Sequence, residues 1–86
     1  MVKIIENKGD SFETAIKITD ATEMNGVDAE YGYLNKRFGP RGQAWKLIQQ
    51  SLMFNNERNY DKMDIELKDG KRLSIYFDIH DFFGVF

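Results

Sequence analysis

The sequence predicts an α+β fold in which one main helix packs on an antiparallel sheet. Three observations support this class: an apolar stripe at helical spacing ends at Gly39-Pro40, residues 60–79 alternate between apolar and polar, and Asp69-Gly70 divides the alternating stretch in two. Apolar residues at helical spacing lie on one side of a helix, which is then buried. Apolar residues that alternate with polar ones lie on one face of a strand and bury that face of the sheet. With 86 residues and no repeat, linker or low-complexity tract, the chain is predicted to be one small globular domain over residues 1–86.

One or two short strands are predicted before the helix. Residues 2–6 are an apolar run of strand-forming type, and residues 15–19 are a second one. Between them, Asp10 or Ser11 is suited to cap a brief turn.

The main helix is predicted over residues 27–38. Asn25 is placed to cap its start, with Asp28 and Glu30 in a first turn where the helix dipole favours anions. The predicted core-facing stripe recurs at i, i+4, i+7 and i+11 and consists of Val27, Tyr31, Leu34 and Phe38.

The end of this helix is marked by cations followed by glycine and proline. Lys36 and Arg37 fall in the last turn, where the helix dipole favours cations. Gly39 supplies a left-handed residue after the helix, and Pro40 prevents its continuation. Gly32, inside the helix, costs about 1 kcal/mol relative to alanine, which predicts a close backbone contact there.

A three-strand meander is predicted over residues 44–54, 60–68 and 71–79. The second and third segments alternate between apolar and polar residues, and Asp69-Gly70 between them is typical of a two-residue type I′ hairpin turn. Residues 44–54 also partly fit a helical stripe. A strand is the preferred interpretation because a two-stranded hairpin is rarely stable alone.

Composition narrows the possible functions. The chain has no cysteine, which excludes disulfides, thiolate metal sites and cysteine nucleophiles. No segment approaches the roughly 20 apolar residues of a membrane span, so a cytosolic protein without membrane contact is expected. The net charge of -2 conceals an asymmetry, because residues 31–56 contain four bases and no acid whereas residues 1–30 contain seven acids and three bases. No cofactor and no metal site are predicted.

The predicted binding surface is the region around residues 37–46, within the basic segment KRFGPRGQAWK at residues 36–46, together with the adjacent sheet. Its cations are expected to meet an acidic surface on another protein, because exposed arginine and tyrosine dominate interface energetics. The chain is therefore predicted to be a non-enzymatic interaction or regulatory module, monomeric or dimeric. The residues predicted to contact the partner are Tyr33, Arg37, Arg41, Lys46 and Tyr76.

Two other functions are open. The same basic segment suits single-stranded RNA or DNA, since cations bind phosphates and rings stack on bases, although the acidic net charge disfavours this. The third hypothesis is an enzyme centred on His80, with Asp78 on the same strand face as a carboxylate that orients the imidazole. The apolar residues 82–86 either close the core or form a docking surface.

Overall fold

The computed structural model describes residues 2–21 and 23–83. Along the chain the elements are β1 (Lys3–Ile5), β2 (Ile16–Thr19), α1 (Glu23–Phe38), β3 (Trp45–Asn55), β4 (Arg58–Leu67) and β5 (Arg72–Asp78). The strands form one sheet in the order β1-β2-β5-β4-β3, and α1 covers one of its faces. The α+β class is confirmed, residues 45–55 form a strand rather than a helix, and the three C-terminal strands lie within two residues of their predicted bounds.

The prediction of a fully antiparallel sheet is wrong at one strand pair. β2 runs parallel to β5, with Ile16 opposite Phe77, whereas β1–β2, β3–β4 and β4–β5 are antiparallel. Parallel neighbours need a long crossover connection, and the chain between β2 and β5 passes through α1, β3 and β4. Alternation identifies the buried face of a strand, but it does not reveal the direction of a strand relative to a distant one.

The buried face of α1 is rotated from the predicted stripe, although Tyr31 and Phe38 of that stripe also pack, partly buried, against the core. Leu34 is buried as expected, but its buried neighbours on α1 are Glu30 and Tyr33. Tyr33 packs edge-on against Phe77, with ring centroids 5.9 Å apart. The most deeply buried side chains of the core are Ile16, Ile18, Leu34, Trp45, Met63, Ile65, Ile75, Phe77 and Phe82.

The helix also begins earlier than predicted. It starts at Glu23, so Asn25 lies inside it instead of capping it. Glu30 lies in the middle of the helix and is buried, instead of lying in the first turn. The buried face of α1 was difficult to predict because a search for apolar periodicity passes over acidic residues. Here an acid, Glu30, occupies the centre of that face. The predicted C-terminus is confirmed, since α1 ends at Phe38 and Gly39 has a φ of 109°.

The opposite face of the sheet is covered in part by the loop between β1 and β2. Phe12 packs edge-on against two sheet tyrosines, with centroid distances of 5.0 Å to Tyr60 and 4.9 Å to Tyr76. The loop is held by a reciprocal cap, because the backbone N–H of Ser11 donates to Thr14 Oγ1 at 3.1 Å and that of Thr14 donates to Ser11 Oγ at 3.2 Å. The predicted capped turn is confirmed.

The type I′ geometry predicted for the turn between β4 and β5 is found instead in the turn between β3 and β4. Asn56 and Glu57, between β3 and β4, have φ values of 49° and 62°, which is the pair of left-handed residues of a type I′ turn. Between β4 and β5, Gly70 is left-handed but Asp69 is not. There the N–H of Gly70 donates to the carbonyl of Leu67 at 2.9 Å, so the predicted type I′ turn at Asp69-Gly70 is wrong.

Replacing Glu57 with glycine is expected to stabilise the chain by about 1 kcal/mol, because a left-handed conformation costs a non-glycine residue roughly 1–2 kcal/mol. The side chain of Glu57 is exposed, so little packing is lost. Urea unfolding followed by circular dichroism measures the change. Glu57→Ala is the control, since it removes the same carboxylate and keeps the strain. If both variants have the wild-type midpoint, the turn does not carry this strain.

Two glycines of α1 are expected to respond oppositely to the same substitution. A Cβ at Gly26 would lie 2.5 Å from Cε1 of Phe82, whereas a Cβ at Gly32 would have no atom within 4 Å. The predicted close contact is therefore at Gly26 and not at Gly32. Gly32→Ala is expected to stabilise the chain by about 1 kcal/mol through helix propensity. Gly26→Ala gains the same propensity but displaces the Phe82 ring and is expected to lower the thermal midpoint. Equal stabilisation by both would contradict this packing.

Candidate functional site

The loop after α1 holds Arg41 over two aromatic rings. Its guanidinium carbon lies 4.7 Å from the ring centroid of Tyr31 and 5.8 Å from that of Trp45. The two rings stack with centroids 6.4 Å apart. The loop is fixed at both ends, because Trp45 Nε1 donates to the carbonyl of Gly39 at 2.9 Å and the N–H of Arg41 donates to Asn35 Oδ1 at 3.0 Å. Arg41 is thus an exposed cation on a rigid aromatic support.

Arg37 contacts the loop between β1 and β2. Its Nη1 donates to the carbonyl of Lys8 at 2.8 Å and lies 3.5 Å from the hydroxyl of Tyr33. Only 6% of Tyr33 is exposed. Its ring therefore belongs to the core, and the structure leaves no ring surface for the predicted role of Tyr33 as a partner anchor.

Lys46 and Tyr76 lie on the sheet face opposite α1, because each is one residue removed from a core side chain of its strand. Lys46 Nζ is 3.3 Å from a carboxylate oxygen of Glu66, and Arg72 Nε is 3.2 Å from the other. These two cations, Lys46 foremost, hold the pKa of Glu66 below its usual range. Tyr76 is half-buried. The charge of Lys46 is thus largely offset within the chain.

Of the predicted contact residues, Arg37 and Arg41 both lie near the C-terminal end of α1, where Arg37 contacts Lys8 and Tyr33 and Arg41 contacts Tyr31 and Trp45. We call Lys36, Arg37 and Arg41 the cationic end. Across residues 2–21 and 23–83, every ion pair with a carboxylate is made by other cations. The cationic end is therefore the part of the predicted basic segment whose charge is open to a partner.

His80 lies exposed just after β5. Its Nδ1 is 3.4 Å from both the backbone and the side-chain nitrogen of Asn59. Asp78, which was expected to orient the imidazole, instead accepts hydrogen bonds from Arg58 at 2.9 and 3.2 Å and from the backbone N–H of His80 at 3.1 Å. The geometry around His80 therefore gives the enzyme hypothesis no support.

A second site, not foreseen from the sequence, is a cleft between the first half of α1, β3, β4 and the turn after β5. It has a volume of about 410 Å³. We call it the Glu30 cleft. Its polar groups are Glu30, Gln50 and Asp61, and its apolar walls are Val27, Leu52, Ile79, Phe82 and Phe83.

Glu30 is fully buried, at 0% exposure, and neither carboxyl oxygen has a hydrogen-bond partner among the described residues. Burial, and after it the neighbouring carboxyl of Asp61, raise the pKa of Glu30 from 4.5 to about 10. Asp61 Oδ2 accepts a hydrogen bond from Gln50 Nε2 at 2.6 Å, and Gln50 Oε1 accepts one from the hydroxyl of Tyr31 at 3.3 Å. The sequence offered one signal for this site: Glu30 precedes the buried Tyr33 and Leu34 by three and four residues, on the same helix face.

In the described part of the chain, no group of three or more His, Asp or Glu side chains is arranged to hold a metal ion. No helix there has the length and apolar character needed to cross a membrane. No protein-family model, curated protein or solved structure matches the chain.

Proposed function

We propose that this chain is a small interaction module that binds an acidic surface of another protein through its cationic end. The observation that carries the proposal is the state of Arg41. It is exposed, it has no carboxylate partner among the described residues, and it is held over Tyr31 and Trp45. An arginine ordered before binding loses less side-chain entropy when it meets a carboxylate, and arginine is enriched among residues that dominate interfaces.

Arg37 extends this surface and is likewise restrained, by its hydrogen bond to the carbonyl of Lys8. Lys46 and Tyr76 face the other side of the sheet, so the proposed contact centres on Arg37 and Arg41. The nucleic-acid hypothesis has less support, because only 2% of Trp45 is exposed and its ring is therefore not open to a base. Stacking on exposed rings is what makes single-strand binding effective.

Charge reversal at Arg41 tests the proposal. The wild-type chain and Arg41→Glu are immobilised, and nuclease-treated lysate of the source cells is passed over each. A partner protein that depends on Arg41 is expected to lose at least about tenfold in retention, since a central arginine contributes 2 kcal/mol or more. Lys3→Glu is the matched control, because Lys3 is an exposed cation on the edge strand β1, paired with Asp20 at 3.5 Å.

Equal retention of the partner by wild type and Arg41→Glu would contradict the proposal. If retention disappears in the nuclease-treated lysate and returns in an untreated one, the bound molecule is nucleic acid. In that case a gel shift with single-stranded RNA at low salt should show the steep salt dependence of phosphate contacts.

A further inference from the structure

The Glu30 cleft contains a fully buried carboxyl group whose oxygens are not satisfied by hydrogen bonds from the described residues. Glu30 is buried against apolar side chains, and its oxygens make no direct hydrogen bond within the described residues, although the carboxyl of Asp61 lies near enough to interact with it. A buried polar group in this state is destabilising, and a leucine of similar size would avoid much of that cost. Glu30 lines the cleft, so a ligand that donates hydrogen bonds there would satisfy the oxygens of a carboxyl that otherwise weakens the fold.

The size and walls of the cleft suit a small molecule. Its volume of about 410 Å³ lies within the range of roughly 300–1,000 Å³ that is typical of ligand sites. Leu52 and Phe83 are partly exposed at its rim, at 59% and 41%. Val27, Ile79 and Phe82 provide further apolar lining. The ligand is therefore expected to have a hydrocarbon body and one polar group.

The polar end of the cleft is rich in acceptors. Glu30 and Asp61 present carboxyl groups there, and the amide of Gln50 already donates to Asp61 while its own oxygen is taken by Tyr31. An anionic ligand would be repelled by Asp61. A hydrated divalent ion would find two carboxyls and no third acidic or histidine ligand in the described residues, whereas Ca²⁺ takes six to eight oxygens. An ammonium group, with several donors and one positive charge, complements this end.

We propose that the Glu30 cleft binds a small organic amine, with its ammonium group between Glu30 and Asp61 and its hydrocarbon body against Phe82 and Leu52. The site shares no lining residue with the cationic end and does not depend on the proposed function. The cation favours the charged form of Glu30, whose pKa of about 10 in the free chain falls when the ligand is bound. Near pH 8, binding therefore releases the proton of Glu30 to the buffer, while the ammonium keeps its own protons.

Calorimetric titration of the full chain with 2-phenylethylammonium tests the proposal. Binding is expected with a Kd of about 1 mM or tighter, which is ordinary for a ligand of this size. The measured enthalpy is expected to change between two buffers of different ionisation enthalpy at pH 8, in proportion to the proton released. The uncharged analogue 2-phenylethanol is expected to bind at least about tenfold more weakly, because it lacks the charge that pairs with the carboxylates.

Two variants separate the site from the rest of the molecule. Glu30→Gln is expected to weaken binding of 2-phenylethylammonium at least about tenfold and to abolish the buffer-dependent enthalpy, because the amide has no proton to release. Asp28→Asn removes an exposed carboxylate from the same helix and is expected to bind like wild type. Failure of the wild type to bind the amine overturns the proposal. So does equal affinity for 2-phenylethanol, or unchanged binding by Glu30→Gln.

Discussion

Replacing Glu30 with glutamine is expected to stabilise the folded chain at pH 7 by about 3 kcal/mol. In the folded chain the pKa of Glu30 is about 10 against an ordinary value of 4.5. Folding at pH 7 therefore forces this carboxyl to take up a proton that the unfolded chain has released. Glutamine has nearly the same shape and needs no proton. Its amide is able to donate to the carboxyl of Asp61, which lies beside Glu30.

The gain should depend on pH in a definite direction. Between about pH 4.5 and 10 the folded state holds one proton more at Glu30 than the unfolded state does. Raising the pH in this window destabilises the wild type relative to Glu30→Gln, with a limiting slope of about 1.4 kcal/mol per pH unit. Below pH 4.5 both states are protonated and this difference should vanish.

Urea unfolding of both proteins from pH 4 to pH 9 measures the difference. The folded chain lowers the pKa of Asp10, mainly through its hydrogen bond from Thr14, and that of Glu66 through Lys46 and Arg72. Those two carboxyls contribute stability that is lost as the pH falls. The loss is the same in both proteins, so it cancels in the difference between their unfolding free energies. Asp28→Asn is the control for simple loss of a carboxylate from the helix. Parallel stability curves for wild type and Glu30→Gln would show that Glu30 is not held protonated.

Replacing Trp45 with alanine is expected to cost about 3–5 kcal/mol, much of the roughly 5–15 kcal/mol that holds a typical domain together. Trp45 is among the largest fully buried side chains. Three contacts are lost with it: the core packing under α1, the stacking on Tyr31, and the hydrogen bond to the carbonyl of Gly39. Arg41 loses one of its two supporting rings as well, so binding through the cationic end should fall together with stability.

Trp45→Phe separates these contributions. It keeps a buried ring near Arg41 but leaves the carbonyl of Gly39 without its donor, and a lost hydrogen bond of this kind costs about 1–3 kcal/mol. Circular dichroism is the measurement to use, because Trp45 is the only tryptophan and its fluorescence is lost in both variants. A Trp45→Ala chain that unfolds at the wild-type urea concentration would show that the loop after α1 does not depend on this ring.

The meander was predictable because its signal is local. Met63 and Ile65 on β4, and Ile75 and Phe77 on β5, are buried in alternation, and a period of two between apolar and polar residues is visible in any short window. The exit from α1 was predictable for the same reason, since Gly39 and Pro40 act on the residues beside them. The parallel pairing of β2 with β5 joins residues about sixty positions apart, such as Ile16 and Phe77, and no local pattern records it.

The Glu30 cleft was not predictable, because its central residue violates the rule used to find the core. An acid in the middle of a helix is normally exposed, and only the packing of α1 on the sheet shows that Glu30 is not. Helix termination explains Lys36, Arg37, Gly39 and Pro40, but it does not explain Arg41. Its support by Tyr31 and Trp45 required the loop geometry, because one ring comes from the helix and the other from β3.

The place of β5 in the sheet has a consequence for synthesis on the ribosome. Among the five described strands, β5 comes last in sequence but third across the sheet, where it joins the β1–β2 hairpin to the β3–β4 hairpin. Until residue 78 has left the exit tunnel, the first hairpin has no strand to pair with on its inner edge, and α1 has no complete surface to cover. The domain is therefore expected to fold after translation of β5 rather than stepwise from its N-terminus. A nascent chain stalled before that point would expose Ile16 and Ile18 to chaperones.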